Sequence, residues 1–354
     1  KNNTPQIMTV GGGGVIGALG INPVEFITNS WRPYGYNSLG LPVLDKRGTL
    51  AVNERTIRNN SFLNREEWER LDTEIFEMVR LKLGAYQDLV DLGLTRPSSL
   101  ATMHSKWRVA SERVAADVTM DFRTRVTHDR VDKKTYGVPL PIYSAFYSIG
   151  RRELLSARAS GQAIDTTEAG EAAMAVAEKA EDILINGETS VVVEGNSVPG
   201  YRTLAARDTG TAAAYGGGDF GTISNILPTF LGMLAALAAK RYRGPFYGYI
   251  HPDQYHEMLE TFNDGSGQTA LDRVLNLPQI EKVEQNDLIP TSGDLVIAQM
   301  TRNVVDVEIA LSLENRQWEA PDGSAMFFGV LLSAVPRLKT DYDGNAGIAH
   351  ATSC

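Results

Sequence analysis

The chain has 354 residues, of which 43% are hydrophobic and 22% charged, with a formal net charge of −9. That length and balance provide for a large buried core, in two domains or one elaborated domain. They exclude an extensively disordered chain and argue against a protein whose main task is gripping nucleic acid, because neutralising phosphates needs clustered Lys and Arg.

The only cysteine is Cys354, so one chain forms neither a disulfide nor a thiolate metal site, which suits a reducing compartment. No stretch reaches the roughly twenty apolar residues of a membrane span. The most apolar candidate, Ile226 to Ala239, is followed at once by Lys240, Arg241 and Arg243. No charged segment followed by an apolar core opens the chain, so secretion is not indicated. The chain starts at Lys1, which leaves both proteolytic maturation and a trimmed start open.

Lys1 to Leu63 is rich in Gly, Asn and Pro and lacks a steady period. Such a segment buries little surface by itself and is expected to lie extended over other parts or other subunits. Within it, Gly12-Gly13-Gly14-Val15-Ile16-Gly17 formally satisfies a dinucleotide fingerprint. That motif works only where a helix starts at the glycines and an acidic residue ends the next strand. Gly20 and Pro23 interrupt the helix, and Asn29 to Gly40 contains no acid. The segment reads as a hinge, and no cofactor is expected.

Asn64 is placed to cap a helix, with Glu67 at the capping-box position and Trp68, Leu71, Ile75, Met78, Val79, Tyr86, Leu89 and Val90 at helical spacing up to Gly93. From Met103 to Gly137 the pattern alternates through Arg108-Val109, Arg113-Val114, Asp117-Val118, Asp121-Phe122 and Arg125-Val126. This predicts two long strands in a charged hairpin. Its edges invite pairing, so it makes most sense laid across a neighbour; the alternative is a solvated edge ribbon.

Val138 to Gly150 reads as a proline-punctuated strand, Arg151-Arg152-Glu153 as a basic turn, and Asp165 to Gly187 as one long helix. Asp165-Thr166-Thr167-Glu168 forms its capping box and Asn186-Gly187 its stop. Ala169, Ala172, Ala173, Val176, Ala177, Ala180, Ile183 and Leu184 make a face of mostly small residues that admits close packing. A Gly/Ala/Thr-rich loop region from Gly195 to Gly221 follows. The next elements are a helix over Asn225–Arg241, a strand over Phe246–Ile250, and a helix opened by Pro252 with Tyr255, Met258, Leu259 and Phe262 inward. This alternation predicts a compact α/β unit. Strands over Asp294–Met300, Val304–Leu313 and Met326–Val335 are joined by turns at Thr301-Arg302-Asn303 and Pro321-Asp322-Gly323, and Asp341–Cys354 reads as a polar tail.

No catalytic, cofactor-binding or metal-binding residue is assigned. His251 and His256 lie near Asp253, Glu257 and Glu260, but their spacing puts the two imidazoles on different helix faces, and His251 sits at the cap. No nucleophile elbow or phosphate-binding loop occurs, and no carboxylate pair is marked by spacing.

The Pro-containing strand, the Arg-Arg-Glu-Leu turn, the Ser/Ala/Gly linker, the capped Ala-rich helix with Ala180-Glu181-Asp182, then Asn-Gly and a Pro-Gly loop resemble the centre of HK97-type coat proteins and encapsulins. Asn64-Arg65-Glu66-Glu67-Trp68-Glu69-Arg70-Leu71-Asp72 and Tyr247-Gly248-Tyr249-Ile250-His251-Pro252-Asp253-Gln254-Tyr255 extend the similarity, to about Asn64–Lys339.

The resemblance implies an α+β, HK97-like capsid fold. It would comprise an N-terminal arm (1–63), a helix leading into the extended loop (64–102) and the loop itself (103–137). A peripheral domain (138–197 and 295–354) would be built on the 165–187 spine helix, beside an axial domain (198–294). It implies self-assembly into pentamers and hexamers of a viral shell around double-stranded DNA, which an acidic wall would contact weakly. Portal, scaffold or decoration proteins are further partners, and the place of action is a virion capsid assembled in the host cytoplasm. An encapsulin shell around cargo enzyme is the nearest alternative, and a nucleotide-binding enzyme the distant one. Some family members cross-link a loop lysine to a neighbour's asparagine. Lys133 and Lys134 lie at the returning end of the hairpin and not at its tip, so they are expected to be solvated charges and the assembly non-covalent.

Overall fold

The computed structural model describes residues 65–82, 84–111, 120, 131–160, 166–262, 267–290, 293–320 and 324–354. The arm, the glycine fingerprint, Asn64, Asp165, most of the hairpin tip and the Pro321-Asp322-Gly323 turn lie outside these residues.

In chain order the elements are α1 (Arg65–Lys82), α2 (Ala85–Asp91), β1 (Thr95–Pro97), β2 (His104–Ala110), β3 (Lys133–Pro139) and β4 (Tyr143–Gly150). Next come α3 (Arg151–Ser160), α4 (Thr167–Ile185), β5 (Glu188–Val193), β6 (Asn196–Val198), β7 (Asp208–Thr211) and α5 (Ile226–Ala239). The remainder is β8 (Phe246–Ile250), α6 (Pro252–Met258), α7 (Ala270–Leu275), β9 (Ile280–Gln285), β10 (Leu295–Gln299), β11 (Val305–Glu319), β12 (Ala325–Leu338) and β13 (Ile348–Thr352). The class is α+β, as the sequence predicts.

The chain divides into two compact units. Among the described residues, the smaller takes 65–73, 148–160, 166, 316–320 and 324–328. Here the Arg-Arg-Glu-Leu segment read as a turn is the first turn of α3, whose Arg151 N–H donates to Ser324 O at 2.9 Å. Leu154 is buried and Glu153 exposed, so one turn serves both as helix start and as anchor. Trp318 and Phe327 stack with ring centroids 6.1 Å apart.

The larger unit takes residues 74–147, 167–315 and 329–354. Its five-stranded sheet runs β7-β13-β10-β8-β9, with β10 antiparallel to both β8 and β13. Phe230, Met233 and Leu237 of α5, Met258 of α6 and Val274 of α7 form one core cluster with Phe246, Ile250, Leu295 and Ile297 of the strands. Tyr255 packs against that core as the helical period predicts, and Phe262 reaches it from beyond the end of α6, whereas Leu259, expected inward, is exposed.

One sequence expectation fails here. Asp341–Cys354 is no polar tail: β13 lies within the sheet between β10 and β7, with Ile348, Ala349, His350 and Ala351 buried. Small residues alternating with a histidine carry little hydrophobic signal, and only the pairing on both sides seals them. β10 and β8 are hydrogen-bonded in register from Leu295↔Ile250 to Gln299↔Phe246.

All eight predicted apolar positions of α4 are buried, and Glu171 and Lys179 are exposed. α1 packs beside Gly170, where a Cβ would meet Met78 Cγ at an ordinary contact distance of 3.5 Å. The helix stops where Gly187 adopts φ +79° and its N–H returns to Ile183 O at 3.0 Å. The single helix expected from Asn64 to Gly93 is divided instead. Gly84 precedes a separate α2, whose first N–H groups are held by a distant side chain. A second sheet orders β1-β11-β12-β4, and two-stranded ribbons pair β2 with β3 and β5 with β6.

Candidate assembly site at the hairpin root

The predicted hairpin exists as a stem: β2 and β3 pair antiparallel from His104↔Pro139 to Ala110↔Lys133. Trp107 and Tyr136, directly opposite, stack with centroids 6.4 Å apart. The stem's outer positions are exposed and its root is buried at Ser105 and Val138.

A set of buried charges fixes that root. Ser105 Oγ donates to Glu308 Oε2 at 2.5 Å, and the same oxygen accepts from Arg337 Nη1 at 3.0 Å. Arg337 also grips Asp306 bidentately, and Lys339 Nζ reaches Asp306 Oδ2 at 2.8 Å. Two carboxylates and two cations thus balance where Arg337 is 2% exposed. The planar guanidinium suits this role because its fork satisfies two acceptors in fixed geometry. Its carbon lies 6.0 Å from the Trp107 ring centroid, which joins the charge cluster to the aromatic pair of the stem.

A second ribbon braces the stem from outside. Glu194 at the β5–β6 turn adopts φ +52° beside Gly195 at φ +80°. Its carboxylate lies 2.6 Å from Lys106 Nζ and 3.2 Å from His104 Nδ1. The Lys106 hydrogen bond foremost holds the Glu194 carboxyl below its ordinary range. Gly137 admits the imidazole, since a Cβ there would fall 2.5 Å from His104 Nε2. Lys134 corrects the sequence reading: it is not simply solvated but donates to Tyr342 O at 2.9 Å and lies 4.0 Å from that ring's centroid.

Behind the stem, Glu181 of α4 is the partner that divides the first helix. Its carboxylate is 1% exposed and accepts from Ala85 N at 2.8 Å, Tyr86 N at 3.0 Å and Asn286 Nδ2 at 2.7 Å. Burial pushes its carboxyl up to about 7, against these three bonds, with Glu284 adding to the rise. Nearby, Asp88 accepts from Tyr249 Oη at 3.0 Å and Lys282 Nζ at 2.6 Å. Another buried node joins Arg202 Nε to Asp294 Oδ2 at 2.9 Å and brings His350 Nε2 to 3.2 Å of that oxygen. Sequence reasoning missed these nodes. The one available signal was an acid, Glu181, inside the apolar face of α4.

The residues weighed for chemistry do not converge. His251 caps α6 by accepting from Asp253 N at 3.2 Å, and His256 Nδ1 is 2.6 Å from Pro252 O. Among the described residues no cluster of three His, Cys, Asp or Glu is placed to hold a metal, and no helix is long and apolar enough to cross a membrane. Cys354 is buried, and burial pushes its thiol up to about 12, which suppresses the thiolate a nucleophile requires. A groove of about 300 Å³ is lined by Pro141, Ile142, Ala175, Val176 and Val191 together with the Lys179–Glu188 ion pair, whose charged atoms lie 3.0 Å apart. The buried contacts among Ser105, Glu308, Arg337 and Asp306 hold the root of the β2–β3 ribbon in place.

A family model described as "Family of unknown function (DUF6260)" matches residues 58–351. No curated protein matches the chain. Among solved structures, the virus-like particle from Pyrococcus furiosus is similar at 16% identity and a TM-score of 0.57, over 81% of this chain and 99% of that one. The capsid of Myoviridae phage XM1 gives 12% identity and a TM-score of 0.57, over 74% and 90%. The capsid of Ralstonia phage GP4 gives 9% identity and 0.52, over 74% and 87%. The fold is HK97-like.

Proposed function

We propose, from the premise that this chain belongs to the DUF6260 family, that it is a non-enzymatic shell protein, the major capsid protein of a virus that encloses double-stranded DNA. The observation that carries the reading is the hairpin root. A chain that worked as a monomer would have no use for two buried carboxylates, Arg337 and Lys339 spent on aiming a solvent-exposed ribbon. In a shell, that ribbon meets a neighbouring copy, and many modest contacts multiplied by closed symmetry give stability.

In this reading residues 1–63 form the arm, 64–102 lead into the loop, and 103–137 are the extended loop. The 138–197 segment, with α4 as its spine, belongs to the peripheral domain, as do β11 and β12. The axial domain is built around 198–294, and we add β10 and β13 to it because they complete its sheet. The partners are other copies in pentamers and hexamers, with portal, scaffold or decoration proteins around them and DNA contacted weakly. The site of assembly is the host cytoplasm and the destination the virion.

An encapsulin shell is the second reading, favoured by the 99% coverage of the Pyrococcus furiosus particle's chain. Electron microscopy and sedimentation of the expressed full-length protein test both. Closed shells or capsomers are expected, and a clean monomer at high concentration would sink both readings. Nuclease-protected double-stranded DNA in particles from the native source favours the virus, and a packaged enzyme favours the encapsulin.

A further inference from the structure

We propose that Glu181 is a proton-operated tie, seating α2 and the loop after β9 on α4 while its carboxyl carries a proton and loosening that seat when the proton leaves. The geometry shows why one side chain has this reach. Its two oxygens bind the first two N–H groups of α2 at 2.8 and 3.0 Å and the Asn286 amide at 2.7 Å. Asn286 in turn fastens the loop: its N–H donates to Ile250 O at 2.8 Å and its Oδ1 accepts from Leu288 N at 3.0 Å. Three elements therefore share one carboxyl.

The charges around that carboxyl do not favour an anion. No Lys or Arg pairs with it among the described residues. Lys282 of β9, the cation facing this cluster, is occupied by Asp88 at 2.6 Å and Glu284 at 2.6 Å. A Cβ on Gly84 would meet Glu181 Oε1 at 3.7 Å and Glu284 Oε2 at 3.8 Å, so the two carboxylates flank the same glycine. The remaining titratable groups facing it are tyrosines. Tyr86 of α2, Tyr201 in the turn after β6, and Tyr249 of β8 are all buried, and burial first pushes each hydroxyl upward. Tyr86 Oη and Tyr201 Oη have no hydrogen-bond partner, so this pocket has little else with which to solvate a charge.

The sign follows from linkage. In the closed seat the Glu181 carboxyl is pushed up to about 7, whereas in an opened seat water returns it toward its ordinary 4.5. The closed seat binds the proton more tightly, so opening becomes easier as pH rises between those values and levels off above them. The full range corresponds to a change in the opening equilibrium on the order of a hundredfold. The inference needs only the folded subunit and does not rest on the shell reading.

Hydrogen exchange of the full chain at pH 5 and pH 8, corrected for intrinsic exchange rates, tests it. The amides of Ala85, Tyr86 and Asn286 should lose protection by tens of fold at pH 8, while those of β10 hold theirs. In Glu181→Gln, which cannot titrate, the difference should vanish. Equal protection at both pH values in the unaltered protein, or a loss that persists in the variant, overturns the proposal. Should the variant fail to fold, the ¹³C shift of the Glu181 carboxyl in the unaltered protein decides alone. A midpoint near 7 supports the tie, and one near 4.5 overturns it.

Discussion

Arg337 and Asp306 face each other on neighbouring strands, β12 and β11, with Nε 2.8 Å from Oδ1 and Nη2 2.5 Å from Oδ2, and their side chains are 2% and 3% exposed. A bidentate pair this deeply sealed leaves each partner dependent on the other. Arg337→Met should cost about 3–5 kcal/mol, because it takes the guanidinium from two buried carboxylates and leaves Lys339 alone to balance them. Denaturant unfolding of an assembly-arrested subunit measures this. Asp306→Ala should cost a similar amount, and the double variant less than the sum, since the pair is removed together. A loss under 1 kcal/mol for either single variant would remove the root's structural role.

The brace at Glu194 is different in kind. Its carboxylate is exposed and meets Lys106 and His104 at the stem surface. Glu194→Gln should leave the subunit's melting temperature unchanged while weakening assembly, because it frees the stem's direction without disturbing a core. Parallel melting and light-scattering assembly assays check it. Unchanged assembly would show that the ribbon is aimed by its buried root alone.

Ala173 and Ala180 are buried on α4, so Leu at either position forces extra methylenes into a close contact. The expected cost is about 1–3 kcal/mol for each. Glu171→Ala, on the exposed face, should stay within about 0.5 kcal/mol. Equal tolerance at all three positions would mean that α4 is not the buried spine.

Asp294 supplies a pH test of opposite sign to Glu181. Burial raises its carboxyl, but the hydrogen bonds from His350 and Arg202 outweigh that and leave it below its ordinary 3.8. A depressed carboxyl contributes stability that is fully present above 3.8 and lost as pH falls below it. Between pH 5 and pH 2.5 the unaltered subunit should therefore lose stability more steeply than Asp294→Asn. Parallel slopes in urea unfolding at successive pH values would contradict this.

How far the sequence reaches is clearest on α4. Its eight apolar positions and its stop at Asn186-Gly187 were legible, because helical period and a left-handed glycine are local properties of the chain. The hairpin stem and β8 were legible for the same reason. The division at Gly84 was not, since it depends on Glu181, 96 residues from Ala85, accepting the N–H groups that open α2.

Nor was β13, whose Ile-Ala-His-Ala carries no strong strand pattern and becomes core only between β10 and β7. The pairing of Arg337 with Asp306 and Glu308 lay equally out of reach, because charged residues in a strand read as solvent-facing until the sheet buries them. By itself the sequence determined the strongly periodic elements, α4, α5, β8 and the charged β2–β3 stem. The tertiary structure decided which charges are sealed inside and what they hold, because burial and pairing across long sequence separations are set by packing and not by local period.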